Sequence, residues 1–287
     1  MPCCATLTNV PALRLVEQTG RLSESKPILF TENLMKNTGN TILVTGGGSG
    51  IGRGLAEAWH ALGNQVIITG RRQKALDETT TANPGMRSYV LDVQYPATIR
   101  AFAELITSEF PALNVLVNNA GIMRAEKLQS QQPDLADAEA IVATNLLGPI
   151  RLTAALLPHL QKQPNAVVLN VSSGLAFVPL VFTPTYCATK AAIHSYTQSL
   201  RHQFKGAGLE VLELIPPYVA TDLMNGASDP RAMPLDKFLA EVMSILQTEP
   251  TPAEVCVENV KGLRLAAEQG RYEATFNGLN AAMADIH

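Results

Sequence analysis

The sequence predicts an α/β chain, built as a doubly wound parallel sheet of six or seven strands with helices on both faces. Three observations carry that expectation. From residue 41 onward, short β-rich runs alternate with helical stretches. The runs are continuously apolar rather than strictly alternating, as in a parallel sheet covered on both faces. A glycine-rich turn joins the first run to the first helix.

Each element follows in order. Residues 41–45 (TILVT) read as the first strand, and residues 51–62 as a helix. Further strands are expected at residues 65–69 (QVIIT), 88–91 (SYVL), 114–118 (NVLVN), 166–172 (AVVLNVS) and 209–215 (LEVLELI). Between them, residues 99–110 place Ile99, Phe102, Ala103 and Ile106 on one helical face. Residues 236–246 and about 252–268 read as helical, with a seventh short strand weakly signalled near Val255. No domain boundary, repeat or low-complexity tract interrupts the chain after residue 41, so residues 35–287 are expected to be a single domain. Residues 1–34 differ. Their Arg14, Arg21 and Lys26 balance Glu17, Glu24 and Glu32. They are expected to form a loosely structured N-terminal extension without the basic and apolar regions of a secretory signal.

Composition bounds the function classes. The chain has 287 residues, 46% hydrophobic content and a net charge of -3, which suits one sizeable core and argues against a nucleic-acid partner. No uninterrupted apolar run approaches the ~18 residues of a membrane span. The four cysteines (Cys3, Cys4, Cys187 and Cys256) have neither zinc nor disulfide spacing, so a reduced, cytoplasmic compartment and no metal are expected.

The turn TGGGSGIG (45–52) explains itself physically. Glycine permits positive φ and lets backbone N–H groups approach a pyrophosphate, and the following helix N-terminus adds positive potential. Gly46, Ser49, Gly50, Ile51 and Gly52 are the residues expected to meet the cofactor. At the end of the second strand, Gly70 stands where an NAD site would carry an acid. Arg71 and Arg72 follow, and a guanidinium suits a ribose 2′-phosphate. The expected cofactor is therefore NADP(H) in a Rossmann-type domain.

Tyr186 and Lys190 lie four residues apart, about one helical turn, so they share a face. Spacing alone also fits an ordinary polar ridge. The wider pattern decides: NNAG (118–121) follows the fourth strand and Ser172-Ser173 the fifth. Together with the glycine turn and Tyr186-x-x-x-Lys190, these motifs resemble the short-chain dehydrogenase/reductase family in its compact single-domain branch. The resemblance spans about residues 36–287 and is strongest toward its DltE-like group. It implies a catalytic set of Asn145, Ser173, Tyr186 and Lys190, with Ser173 rather than Ser172 at the family's distance from the tyrosine. It also implies cofactor contacts from Asp92, Val93, Asn119, Ala120, Gly121, Val219 and Thr221, and from Tyr186 and Lys190 themselves. One departure is Pro216-Pro217 where the family usually has Pro-Gly.

The chemistry expected is hydride transfer between NADP(H) and an alcohol/carbonyl pair, with Tyr186 as general acid/base. Lys190 would tune the phenol and bond the nicotinamide ribose. Ser173 would donate to the substrate oxygen. Asn145 would hold a water leading to solvent. Residues 175–182 and 223–234, with Met224 and Met233, are expected to border an apolar pocket for a small-molecule carbonyl compound. A non-catalytic NADP-sensing protein and a reductase of acyl-carrier ketoacyl thioesters are the alternatives. A homodimer or homotetramer is expected, and no membrane partner.

Overall fold

The computed structural model describes residues 36–129 and 135–284. The expected extension at residues 1–34 lies outside them. In chain order the elements are β1 (Thr41–Thr45), α1 (Gly50–Ala61), β2 (Gln65–Gly70), α2 (Gln73–Ala82), β3 (Arg87–Val90), α3 (Pro96–Glu109), β4 (Leu113–Asn118), α4 (Ala136–Val142), α5 (Gly148–Leu160) and β5 (Ala166–Val171). There follow α6 (Pro184–Gln203), β6 (Leu209–Ile215), α7 (Leu235–Leu246), β7 (Glu254–Cys256), α8 (Glu258–Arg264) and α9 (Tyr272–Ala282).

The strands form one seven-stranded sheet in the order β3-β2-β1-β4-β5-β6-β7, and every pairing is parallel. This is the doubly wound, Rossmann-type arrangement. The direction of winding reverses between β1 and β4, which opens a crevice at their carboxyl ends, where ligands bind in such sheets. Alternate strand residues feed two separate cores. One face buries Ile42, Val44 and Leu55 with Trp59 and Phe238. The other buries Leu43, Ile67 and Leu116 against Phe102, Ile106, Leu152, Leu156 and Leu200. The expected face of α3 is confirmed, since Ile99, Phe102, Ala103 and Ile106 are all buried. At the opposite end of the sheet, Asn114 Oδ1 accepts from Thr41 N, Asn64 Oδ1 accepts from Asn40 N, and Asn114 Nδ2 donates to Asn40 Oδ1. These side chains satisfy the Asn40 and Thr41 N–H groups at the start of β1.

Three features differ from the sequence reading. The single helix expected over residues 252–268 is split, because residues 254–256 pair with β6 (Ile215 with Cys256) before α8 begins. Helix α9 was not anticipated. Finally, α4 and α5 run together through a π-turn at Ala143–Leu147. The resulting helix, Ala136–Leu160, is long and apolar enough by length and composition to cross a membrane, with a mean hydropathy of 1.6 over its best window. Asn145, Gly148, Pro149 and Arg151 interrupt it, so a search for unbroken apolar runs passes over it. Its Leu152, Leu156 and Leu160 are fully buried against the sheet, as in the core helix of a globular domain.

Candidate active site

A cleft of about 440 Å³ runs across the carboxyl ends of the strands, from Arg71 to Leu279 and Met283. Its floor is the glycine turn. Gly46 (φ 68°) and Gly50 (φ 53°) occupy the left-handed region that disfavours other residues. Gly52 is required for space: a Cβ there would lie 2.4 Å from Gly46 O and 2.3 Å from Asn119 Nδ2. Asn119 holds the turn from the β4 side by donating to Thr45 O at 2.9 Å. Thr45 Oγ1 accepts from Asn119 N and Ala120 N, both at 3.0 Å. The ends of β1 and β4 are thus locked together, while no side chain caps the first turn of α1. Its free N–H groups, above a cradle that any Cβ would fill, fit the pyrophosphate of a dinucleotide.

The other expected cofactor residues line the same cleft. Gly46, Ser49, Gly50, Ile51 and Gly52 meet Arg71 and Arg72 at one end. Arg72 Nη2 donates to Ser49 Oγ at 3.2 Å, and Arg71 is exposed. Asp92 and Val93 follow β3, and Asn119, Ala120 and Gly121 follow β4. Val219 and Thr221 close the far side, the Thr221 Cγ2 approaching the face of Gly50. Around the turn after β6, Pro216 O accepts from Gly174 N at 2.9 Å and so braces the Ser173 segment.

Beyond the nucleotide end sit the polar residues of the expected catalytic set, all buried. Tyr186, Lys190 and Ser173 are only 6%, 5% and 7% exposed. Helix α6 begins at Pro184, and its first turn is fastened by Glu126, whose carboxylate accepts from Thr185 N at 2.8 Å and Thr185 Oγ1 at 2.7 Å. That contact fixes where Tyr186 lies. Ser173, at the end of β5, accepts from Leu175 N at 3.1 Å and lines the cleft with Tyr186. The Lys190 ammonium lies 5.6 Å from the centre of the Tyr186 ring and donates to Val171 O at 2.8 Å. Burial pushes the Tyr186 phenol well above its ordinary range, against the lowering effect of Ser173. Burial lowers Lys190 to about 8, against the raising effect of Glu213.

Asn145 lies close to this row, on the helix that precedes β5. It lies in the π-turn, where its Oδ1 accepts from Ile122 N and its Nδ2 donates to Ile122 O, each at 2.9 Å. Its side chain therefore anchors the segment after β4, and a Cβ on Gly121 would lie 3.5 Å from Asn145 Oδ1 and 3.8 Å from Lys190 Nζ, so both side chains border the same glycine. Met233, expected at the pocket border, instead packs into the sheet core, and its backbone bonds Tyr218 and Ala220. The expected apolar wall is present as Leu175, Leu180 and Phe182, joined by Ile122, Met123 and Tyr218. Sequence reasoning missed Leu279 and Met283, which α9 and its end bring to the same wall. It also missed the fully buried Glu213, for which acids at 210 and 213 in an otherwise apolar strand were the available signal. His194 Nδ1 and carboxylate oxygens of Glu213 and Glu254 lie within 4.8 Å of one another, but each already has a protein partner.

Comparison with known proteins agrees with this arrangement. A family model described as short chain dehydrogenase matches residues 40–232. The chain is 39% identical over 249 residues to an uncharacterized oxidoreductase, DltE, of Bacillus subtilis, covering 86% of this chain and 98% of that protein. A short-chain dehydrogenase from Streptomyces avermitilis superposes with a TM-score of 0.72 at 27% identity, over 86% of this chain and 100% of the other. One from Burkholderia cenocepacia, solved in complex with NADP, gives 0.72 at 23% identity over 84% and 99%. With the glycine turn, the Asn-Asn-Ala-Gly segment and the serine, tyrosine and lysine all gathered at one crevice, the chain belongs to the short-chain dehydrogenase/reductase family of oxidoreductases.

Proposed function

We propose that the protein is an NADP-dependent reductase of carbonyl compounds, with Tyr186 as proton donor. The observation that carries this reading is the buried row of Ser173, Tyr186 and Lys190 at the inner end of the nucleotide cleft. A bound dinucleotide supplies the hydride. The chain's own residues do the rest. Gly46, Gly50 and the start of α1 hold the pyrophosphate, and Arg71 and Arg72 face the adenosine end, where Gly70 stands in place of the acid that would repel a 2′-phosphate. Ser173 and Tyr186 hydroxyls converge on a substrate oxygen and stabilise the charge that develops there.

Protonation favours the reducing direction at neutral pH. The phenol, raised by burial, keeps its proton and can give it to an alkoxide. Lys190, at about 8, is then still an ammonium and stabilises the tyrosinate left behind. As pH rises through that value the ammonium is lost, so reduction should fall on the alkaline side. The apolar wall of Leu175, Leu180, Phe182, Leu279 and Met283 suits an apolar or medium-sized carbonyl compound.

The test is oxidation of NADPH and of NADH at neutral pH with a panel of aldehydes, ketones and β-ketoacyl thioesters. The reading expects turnover of apolar aldehydes or ketones with NADPH preferred. Failure to turn over any panel member, or a preference for NADH, would contradict it.

A further inference from the structure

Beneath the proposed catalytic row lies a carboxylate that the hydride chemistry does not itself use. Glu213 is on β6, opposite Asn170 in the β5 register, and its side chain is 0% exposed. It shares its sheet face with Val211, which belongs to the core under α6. A buried carboxylate there is costly unless it is paired and hydrogen-bonded.

Its partners point to the active site. Ser172 Oγ donates to Glu213 Oε1 at 2.5 Å, and Ser172 directly precedes Ser173. His194 Nδ1 meets Glu213 Oε2 at 2.8 Å, and His194 stands one turn beyond Lys190 on α6. The His194 ring is held in turn by Phe177, with ring centres 4.7 Å apart. One carboxylate therefore ties the strand that presents Ser173 to the helix that presents Tyr186 and Lys190. The charged and titratable groups around it are few. On α6 they are Lys190 and His194. On β7 they are Glu254 and Cys256, and Glu254 is already paired with Arg264 of α8 at 2.7 Å. Lys261 is paired with Glu258. Neighbouring β5 contributes only the neutral Asn170 and Ser172.

We infer that Glu213 is a positioning residue for reduction: through Ser172 it sets the end of β5 that carries Ser173, and its negative charge holds the Lys190 ammonium in its buried site. This rests on the proposed roles of Ser173, Tyr186 and Lys190. It also has a directional consequence. Burial lowers the Lys190 pKa and the charge of Glu213 opposes that fall. Removing the charge lets the ammonium deprotonate at lower pH, so the alkaline loss of activity moves toward acid.

The experiment compares wild type, Glu213→Gln, Ser172→Ala and Tyr186→Phe. The readouts are kcat, kcat/KM and NADPH affinity by fluorescence between about pH 6 and pH 10, with thermal melting as the check on folding. Glu213→Gln keeps the shape and loses the charge. It is expected to lower kcat about tenfold and to move the alkaline limb of the kcat/KM and NADPH-affinity profiles about one pH unit toward acid. Ser172→Ala keeps the charge, so its limb stays while kcat falls by about threefold. A Glu213→Gln limb that coincides with wild type overturns the inference even if kcat falls, because that is what a merely structural role would give. Should Glu213→Gln not fold, Ser172→Ala decides, and a kcat equal to wild type overturns the positioning role. Undiminished turnover in Tyr186→Phe would instead strike at the proposed reaction itself, so the two failures are distinguishable.

Discussion

The two ends of the cleft are built on opposite principles. At the inner end, Tyr186, Lys190 and Ser173 are almost wholly buried, and their places are set by packing and by bonds to Glu126, Val171 and Leu175. At the outer end, Arg71 and Arg72 are exposed, and the one hydrogen bond between their side chains and the glycine turn is the 3.2 Å contact of Arg72 with Ser49. Groups in a buried site interact through a low effective dielectric and cannot relax away, so small changes there carry large energies. Exposed guanidinium groups act through screened charge and adjust to a ligand at little cost. The inner end is therefore suited to setting the rate, and the outer end to choosing between cofactors.

Substitutions can break or sharpen that contrast. The largest effect is expected from Lys190→Met, which should lower kcat by about 10³-fold while raising thermal stability. At pH 7 the folded state carries a buried ammonium whose pKa is lowered from 10.5 to about 8. Losing that cost, less the bond to Val171 O, is worth about 1–2 kcal/mol, or a few degrees in Tm. The unfolded chain keeps its proton up to higher pH than the folded one, so the gain should shrink as pH rises between those two values. A lower Tm at pH 7 would show that Lys190 is held in place for stability rather than for chemistry.

Gly52→Ala comes next. Its Cβ would collide with Gly46 O, so NADPH affinity should fall by about 10²-fold or more, measured by fluorescence titration, with the Tyr186 row undisturbed. Arg71→Ala is smaller: KM for NADPH should rise about tenfold, with KM for NADH nearly unchanged and kcat retained. Equal effects on the two cofactors would remove the outer end's proposed role. The smallest effect is that of salt. Raising ionic strength should weaken NADPH binding to wild type by a few-fold and should weaken binding to Arg71→Ala less.

The same contrast explains what could be read from the sequence. Requirements met locally were legible: the glycine turn works through its own backbone, and Tyr186 and Lys190 share a face through helical spacing alone. The doubly wound parallel sheet followed from alternating elements and continuous apolar runs. What escaped depends on contacts distant in sequence. Asn280, on α9, accepts from Val181 N at 2.8 Å across nearly a hundred residues, and that bond helps bring Leu279 and Met283 to the pocket. Asn145 was recognised by its motif, but its bonding to Ile122 depends on how the π-turn faces the end of β4. Glu213 sat in plain view in LEVLELI, yet its burial follows only from the packing of α6 over β6.

The central claim, that Tyr186 sets the rate without setting cofactor affinity, is tested most directly by Tyr186→Phe, with carbonyl-dependent NADPH oxidation and NADPH fluorescence titration performed on the same preparation. The account predicts turnover lower by about 10³-fold, with the dissociation constant for NADPH within about twofold of wild type. Turnover close to wild type, or turnover lost only in step with NADPH binding, would contradict it.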